Sequence, residues 1–181
     1  MPKKAFSLAA LTALLLAASA CGRSTEQNTA ADKGKGFAAT VTAVADGDTV
    51  RATDSNGRKL KIRMAYIDAP ETSQAYGQAS RDALKKRLER KNVRVEIFDT
   101  DQYQRHVARI YLDGKDINLE QIELGNAWHY RSIARKNQNR ADYAAYEAAE
   151  QQAKSSRSGL WKQSNPQAPW AYRHQQRGGG Q

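Results

Sequence analysis

The chain has 181 residues, with 29 Lys and Arg against 19 Asp and Glu, three His and one Cys. That length holds one ordinary domain plus tails. A single cysteine excludes an internal disulfide, and the histidines show no metal-ligand spacing with it or with each other, which argues against a zinc site. The basic balance favours a polyanionic partner, either nucleic acid or an anionic membrane face.

Residues 1–20 read as a signal peptide: a basic head, "MPKK", an apolar run too short to span a bilayer comfortably, and small residues at the end. Removing it takes away Lys3 and Lys4 and no acid, which leaves 27 basic against 19 acidic residues, a net charge of +8. Ala18-Ser19-Ala20 is an A-x-A cleavage site, and "ASAC" also resembles a bacterial lipobox in which Cys21 becomes the lipidated N-terminus. A lipid on Cys21 would explain the lone cysteine of an exported chain; the other reading is a free thiol on a secreted protein. Residues 21–36 are polar, with several glycines and no aromatics, and read as a flexible tether. The expected fold occupies 37–163, and 164–181 reads as a polar, disordered tail.

Inside the domain the first half alternates like strands. "FAATVTAVA" runs into the turn "DGD", and "TVRAT" into "DSNG". In "RKLKIRMAYI", Leu60, Ile62 and Met64 alternate with Lys59, Lys61 and Arg63, which predicts a half-buried strand with Arg63 on its wet face. "SQAYGQASRDALKKRLERK" spaces Ala79, Ala83, Leu84 and Leu88 as a helix does. "NVRVEIFD" and "HVARIYL" are strands; "INLEQIELGNA" is a helix stopped by Gly125; "RADYAAYEAAEQQAKSSRSGLW" is a last helix with Tyr143 and Tyr146 on one face. "RSIARKNQNR" between them reads as a basic loop, either tracking a nucleic-acid backbone or simply solvated. Five strands interrupted by a helix predict an α+β, mainly β architecture: a five-stranded OB-fold barrel with three packed helices.

Charged residues gather at strand ends and turns: Asp46 and Asp48 in "DGDT", Arg63, Asp68 and Glu71 in "RMAYIDAPE", and Arg105 after "DQYQ". Two carboxylates from separate turns can hold one hard cation, with a backbone carbonyl and waters completing the shell. A third beside it can act as general base. Two arginines can make forked contacts with phosphate oxygens and stabilise the charge that grows there. Each piece alone also fits an ordinary turn or a surface charge.

Together, "DGDTV", "IRMAYIDAPE", "YGQAS", "DQYQRHVARIYLDGKDIN" and "ELGNAWHY" resemble the thermonuclease, or staphylococcal-nuclease-like, family in order and separation. The resemblance covers about Ala38 to Trp161. It implies an OB-fold barrel and a phosphodiesterase that uses one Ca²⁺ ion, cleaves DNA and RNA and leaves 3′-phosphate ends. It assigns Asp48 and Asp68 to the metal, with the Ala69 carbonyl, and Glu71 to the general base. Arg63 and Arg105 take the scissile phosphate, and Tyr103 contacts substrate. Tyr130 is the candidate for a second substrate contact, while Trp128 is expected to pack in the core.

Where family members often have Lys-Tyr-Gly-Arg, this chain has Gln102-Tyr103-Gln104-Arg105, which implies the loss of one phosphate contact and of a tighter turn. The rival from another class is a non-catalytic OB-fold module that binds nucleic acid at the cell surface. A third is a structural lipoprotein whose basic surface meets anionic lipid. The expected protein is an exported, lipid-anchored monomer of the cell envelope, or else periplasmic or secreted.

Overall fold

A computed structural model describes residues 36–178 of the chain. The expected signal peptide, Cys21 and all but the last residue of the tether lie outside the described residues. The elements in chain order are β1 (Phe37–Val44), β2 (Thr49–Asp54), β3 (Lys59–Met64), β4 (Ile67–Asp68), α1 (Gly77–Leu88), β5 (Asn92–Thr100), β6 (His106–Leu112), β7 (Lys115–Asp116), α2 (Ile117–Glu123), β8 (Trp128–His129), α3 (Arg131–Asn137), α4 (Arg140–Ser155), a 3₁₀ turn (Gly159–Lys162) and α5 (Pro169–Gly178).

β1, β2 and β3 form an antiparallel meander, and β5 pairs antiparallel with both β1 and β6. The ring closes where β3 meets β6 in parallel, with Ile62 opposite His106 and Met64 opposite Ala108. The five-stranded OB-type barrel is therefore present. Closing a sheet this small needs sharply coiled strands, and β1 and β5 each carry a register shift, at Val41/Ala43 and at Ile97/Asp99, that supplies the bend. Period-two alternation aims Val41, Val50, Ile62, Met64, Val95, Ala108 and Ile110 into the interior, where all are buried.

The helices cover the barrel through the apolar faces that their spacing sets. α1 buries Leu84 and Leu88, and α2 buries Ile117 and Ile122. α2 opens on Asp116, whose side chain accepts from the Leu119 N–H; α4 opens on Asn139, which accepts from the Asp142 N–H. Tyr146 is buried on α4 and donates its hydroxyl to Asp116 Oδ2 at 2.7 Å, while Tyr143 packs on the His129 ring. Both tyrosines of the predicted face do pack.

The structure departs from the sequence reading in four places. The strand read through Ile67 ends at Met64, because the chain turns there, with Tyr66 in the left-handed region, before pairing again as β4 with β8. "RSIARKN" is not a loop but helix α3, in which Arg131 is paired with Glu147 and Glu150 of α4. The expected disordered tail contains helix α5, which with α3 makes five helices among the described residues where three were expected. The turn before Arg105 is not loosened by Gln104: the residue adopts φ 58°, and the Asp101–Gln104 and Asp101–Arg105 backbone hydrogen bonds are both made.

Asn118 ties the closure together. Fully buried, it donates from Nδ2 to the Ala65 and Ala108 carbonyls at 3.0 and 3.1 Å and accepts the Ile110 N–H at 3.1 Å. It thereby adds side-chain hydrogen bonds to backbone groups of β6 and of the turn after β3, where the Ala108 carbonyl also accepts the Ala65 N–H at 2.7 Å. His129 is the other buried polar anchor. Its backbone N–H donates to Glu150 Oε1, its Nε2 faces Gln138 Oε1 at 3.1 Å, and its Nδ1 has no partner among the described residues. Burial holds its pKa below the ordinary 6.5, against the opposing pull of Gln138 and Glu150.

Asn118→Leu leaves buried backbone groups unpaired and lowers stability by about 2–4 kcal/mol, read as a fall in the urea midpoint. Gln104→Gly relieves a left-handed side chain and raises stability by about 0.5–1 kcal/mol. His129 takes up protons less readily when folded than when unfolded, so its contribution is complete above about pH 6.5 and is lost as pH falls below it. Urea unfolding of His129→Gln should accordingly lie further below the parent at about pH 7.5 than at about pH 5.

Candidate active site

The site is built where β2 begins, β3 ends and β4 pairs with β8. The "DGD" turn puts Asp48 at the mouth of the barrel. Asp46 Oδ1 accepts the Asp48 N–H at 3.0 Å, so Asp46 shapes the turn. Gly47 packs so closely on Ser80 and Ala69 that a Cβ there would collide with both side chains. Its carbonyl accepts from Gln121 Nε2 at 2.9 Å; Gln121 Oε1 accepts from Asn126, and the Asn126 carbonyl accepts from Ser80 Oγ. All three of these side chains are buried. The "YGQAS" and "ELGNA" segments thus fix the backbone that carries Asp48.

Asp48 and Asp68 are both buried and share one guanidinium. Arg63 Nη1 lies 3.2 Å from Asp48 Oδ2, and Nη2 lies 2.8 Å from Asp68 Oδ1. Arg63 Nη1 also donates to the Met64 and Ile67 carbonyls at 2.9 Å each, so the residue holds the turn between β3 and β4. Arg63 was expected on the wet face of its strand. Its side chain is instead only 14% exposed, because at the strand's end two buried acids and two carbonyls lie within its reach. Asp48 further accepts the Ala69 N–H at 2.6 Å and the Thr49 hydroxyl at 3.1 Å. Ala69 is thus seen here through its N–H.

Burial pushes the Asp48 carboxyl well above the ordinary carboxylate range. Arg63 pulls it back in part, and the nearby Asp46 and Asp68 carboxylates raise it further. The donors gathered here are oxygens, and negative charge exceeds what one arginine balances. That chemistry suits a hard divalent cation. Asp48 and Asp68 are two carboxylates; among the described residues no group of three His, Cys, Asp or Glu gathers to hold a metal.

Glu71 stands at the rim, its side chain 37% exposed. Its N–H donates to Gln74 Oε1, and its carbonyl accepts the Gln74 N–H. Gly77 passes so close that a Cβ on it would overlap the Glu71 carbonyl. This is why a glycine begins α1 here: any larger residue would displace the loop that carries Glu71.

Arg105 approaches through the barrel closure, since Val107, two residues on, is paired with Arg63. Asp101 Oδ2 fixes its Nε at 2.7 Å and Asp101 Oδ1 accepts its backbone N–H at 3.0 Å, while its two Nη groups make no hydrogen bond among the described residues. Tyr103 is 65% exposed, and its ring lies 5.4 Å from that guanidinium. Tyr130 donates its N–H to the Tyr66 carbonyl, and its ring stacks on Trp170 with centroids 5.6 Å apart. Trp128 is only partly buried and packs edge-on against Trp161, in a small second cluster beside the barrel core. The structure therefore brings Asp48, Arg63, Asp68 and Ala69 into direct contact, with Glu71 beside them. No hydrogen bond or ion pair among the described residues links Arg105, Tyr103 or Tyr130 to that group.

One residue at the site was missed. Arg173, on α5, donates from Nη1 to Glu71 Oε1 at 2.8 Å and to Asp68 Oδ1 at 3.2 Å, and from Nη2 to Asp68 Oδ2 at 2.8 Å. The available signal was "APWAY" before it: a proline able to start a helix and two aromatics able to dock it, within a tail otherwise polar.

Sequence comparison agrees with this architecture. The family model described as "Staphylococcal nuclease homologue" matches residues 61–163, more than half of the chain. An "Uncharacterized endonuclease" of Haemophilus influenzae is 36% identical over 170 residues, which cover 92% of this chain and 85% of that protein. A second protein so described, from Escherichia coli O157:H7, is 35% identical over 135 residues, covering 74% and 83%. The "Probable staphylococcal-like nuclease CAN1" of Oryza sativa subsp. japonica is 37% identical over 129 residues, which cover 71% of this chain but 37% of the plant protein. Built on a closed five-stranded barrel and matched across the segment that carries Arg63, Asp68, Glu71 and Arg105, the chain belongs to the staphylococcal nuclease homologue family.

Proposed function

We propose that the protein is a Ca²⁺-dependent nuclease that hydrolyses phosphodiester bonds of DNA and RNA and leaves 3′-phosphate ends. Family membership and the printed descriptions of the relatives support a nuclease-type hydrolase. The observation that carries the reading is the pair of buried carboxylates, Asp48 and Asp68, bridged by Arg63 with a half-exposed Glu71 beside them. A module that only bound nucleic acid would gain nothing from burying two carboxylates side by side. On the same reading the chain is exported and anchored through a lipid on Cys21, which rests on the leader sequence alone.

Asp48, Asp68 and the Ala69 carbonyl would hold one Ca²⁺, which when bound supplies positive charge to the phosphate oxygens. The protein's own groups do the rest. Glu71 is paired through Oε1, and Oε2 is the atom that takes a proton from the attacking water. Arg63 spends Nη1 on two carbonyls and Nη2 on Asp68, which leaves its Nε–H and one Nη2 hydrogen for a phosphate oxygen. Arg105, held at Nε by Asp101, presents both Nη groups as a fork. As water adds to phosphorus, charge grows on the equatorial oxygens and fixed guanidiniums stabilise it without reorganising; the bond from phosphorus to the 5′ oxygen then breaks, and that oxygen leaves as a hydroxyl after taking up a proton from solvent. Tyr103 and Tyr130 offer aromatic faces on which flanking bases can stack, a contact that ignores the sugar.

The purified protein should degrade single-stranded DNA and RNA with Ca²⁺ and stop on addition of a chelator. Glu71→Gln should lower kcat by about 10²–10⁴-fold and leave the thermal midpoint nearly unchanged. Binding of labelled oligonucleotide without cleavage under any divalent cation would instead identify the non-catalytic module.

A further inference from the structure

α5 docks across the mouth of the site and is held there by contacts outside the barrel core. Gln74 Nε2 donates to the Gln167 carbonyl at 2.5 Å, and Ser73 Oγ and the Tyr172 hydroxyl are 3.0 Å apart. Trp170 stacks on Tyr130 with an interplanar angle of 14° and meets Trp128 edge-on at 5.5 Å. Pro169 is buried at the start of the helix. One turn further on, Arg173 reaches both oxygens of Asp68 and one of Glu71.

This arrangement uses up Asp68. Its Oδ1 is shared by Arg63 and Arg173, and its Oδ2 is taken by Arg173, so no oxygen of this 1%-exposed carboxylate is left without a guanidinium. A guanidinium gripping both oxygens and a cation on the same carboxylate exclude each other by space and by charge. Arg63 cannot play this part, because it is locked into the turn between β3 and β4 by two backbone carbonyls. Arg173 is more exposed, at 31% of its side chain, and rides on a terminal helix anchored by ring contacts and a few hydrogen bonds.

We propose that α5 is a strap whose Arg173 competes with the site's cation for Asp68 and Glu71. Resting on the reading of Asp68 as a metal ligand, this makes the closed strap a cation-free resting form. Uptake of a divalent cation by Asp68 releases Arg173, frees Glu71 Oε1 and lifts Trp170 from Tyr130. The strap therefore couples three things that a bare site would leave independent: cation entry, release of Glu71 Oε1 and exposure of the aromatic face of Tyr130.

Calorimetric titration of the full chain with CaCl₂, without nucleic acid, tests this. A strap closed about nine-tenths of the time weakens apparent affinity about tenfold. Arg173→Ala should therefore bind Ca²⁺ about five- to tenfold more tightly than the parent. Trp170→Ala, which loosens the strap and leaves every carboxylate in place, should move affinity in the same direction. Ca²⁺ should also change the tryptophan fluorescence of the parent as the Trp170–Tyr130 stack opens. Equal or weaker Ca²⁺ binding by both variants, with the parent binding measurably, would overturn the strap and leave the metal reading intact. No Ca²⁺ binding by the parent or by either variant would overturn the metal reading and the strap with it.

Discussion

Arg63 is the residue around which the site is arranged. Two carboxylates buried within reach of one another repel, and each also loses its hydration. One guanidinium between them makes the pair tolerable. Because the same group also binds the Met64 and Ile67 carbonyls, it fixes the turn that sends β4 away from the barrel. Charge balance and backbone direction are thus a single constraint. A lysine could meet the first demand and not the second, because it lacks the planar fork that reaches carbonyls and carboxylates together. Burial first, and the neighbouring Asp46 and Asp68 carboxylates after it, raise the Asp48 carboxyl against the pull of Arg63, and two carboxylates on one guanidinium leave a place for a second positive charge. The fold offers two candidates for that charge, a metal ion and Arg173.

Around this centre the protein excludes motion through small residues and satisfied amides. Gly47 and Gly77 permit contacts that a methyl group would abolish, one under the Asp48 turn and one under the Glu71 loop. Gln121, Asn126 and Ser80 carry the fixation from the Gly47 carbonyl to α1 without an exposed link. Positioning by buried, fully bonded groups is what an electrostatic mechanism needs, since its gain comes from dipoles and charges already in place.

Much of this was legible in the sequence, and the reasons differ by element. The five barrel strands announced themselves because each alternates over a half-buried surface, and α1, α2 and α4 because their apolar residues fall at helical spacing. The carboxylate and arginine set was legible as a combination in order, although each member alone matches an ordinary turn. What escaped was whatever depends on a distant partner. Arg63 alternates as a wet-face residue and is drawn inward by Asp48 and Asp68. α3 is short and basic, and its helix is held by pairing Arg131 with Glu147 and Glu150 of α4. α5 has a polar composition and lacks a broad apolar face; Trp170 and Tyr172 dock it on groups lying about 40 and about 100 residues earlier in the chain. Gln104 implied a looser turn, and the turn instead accepts the strain.

The closure of the barrel has a consequence for how the site comes into being. Arg63 belongs to a meander whose contacts are local, and Val107, two residues after Arg105, is set opposite it only when β6 seats against β3. The β3–β6 seam joins residues 44 positions apart, from Ile62 to His106, with α1 and β5 lying between them in the chain. Contacts of that sequence separation come late, because the loop entropy has to be overcome first. A chain that has made its first hairpins thus already owns Asp48 and Arg63 in proximity but has no fork for a phosphate. The site is therefore complete only in the closed barrel, because its two arginine-bearing strands meet across that long-range seam.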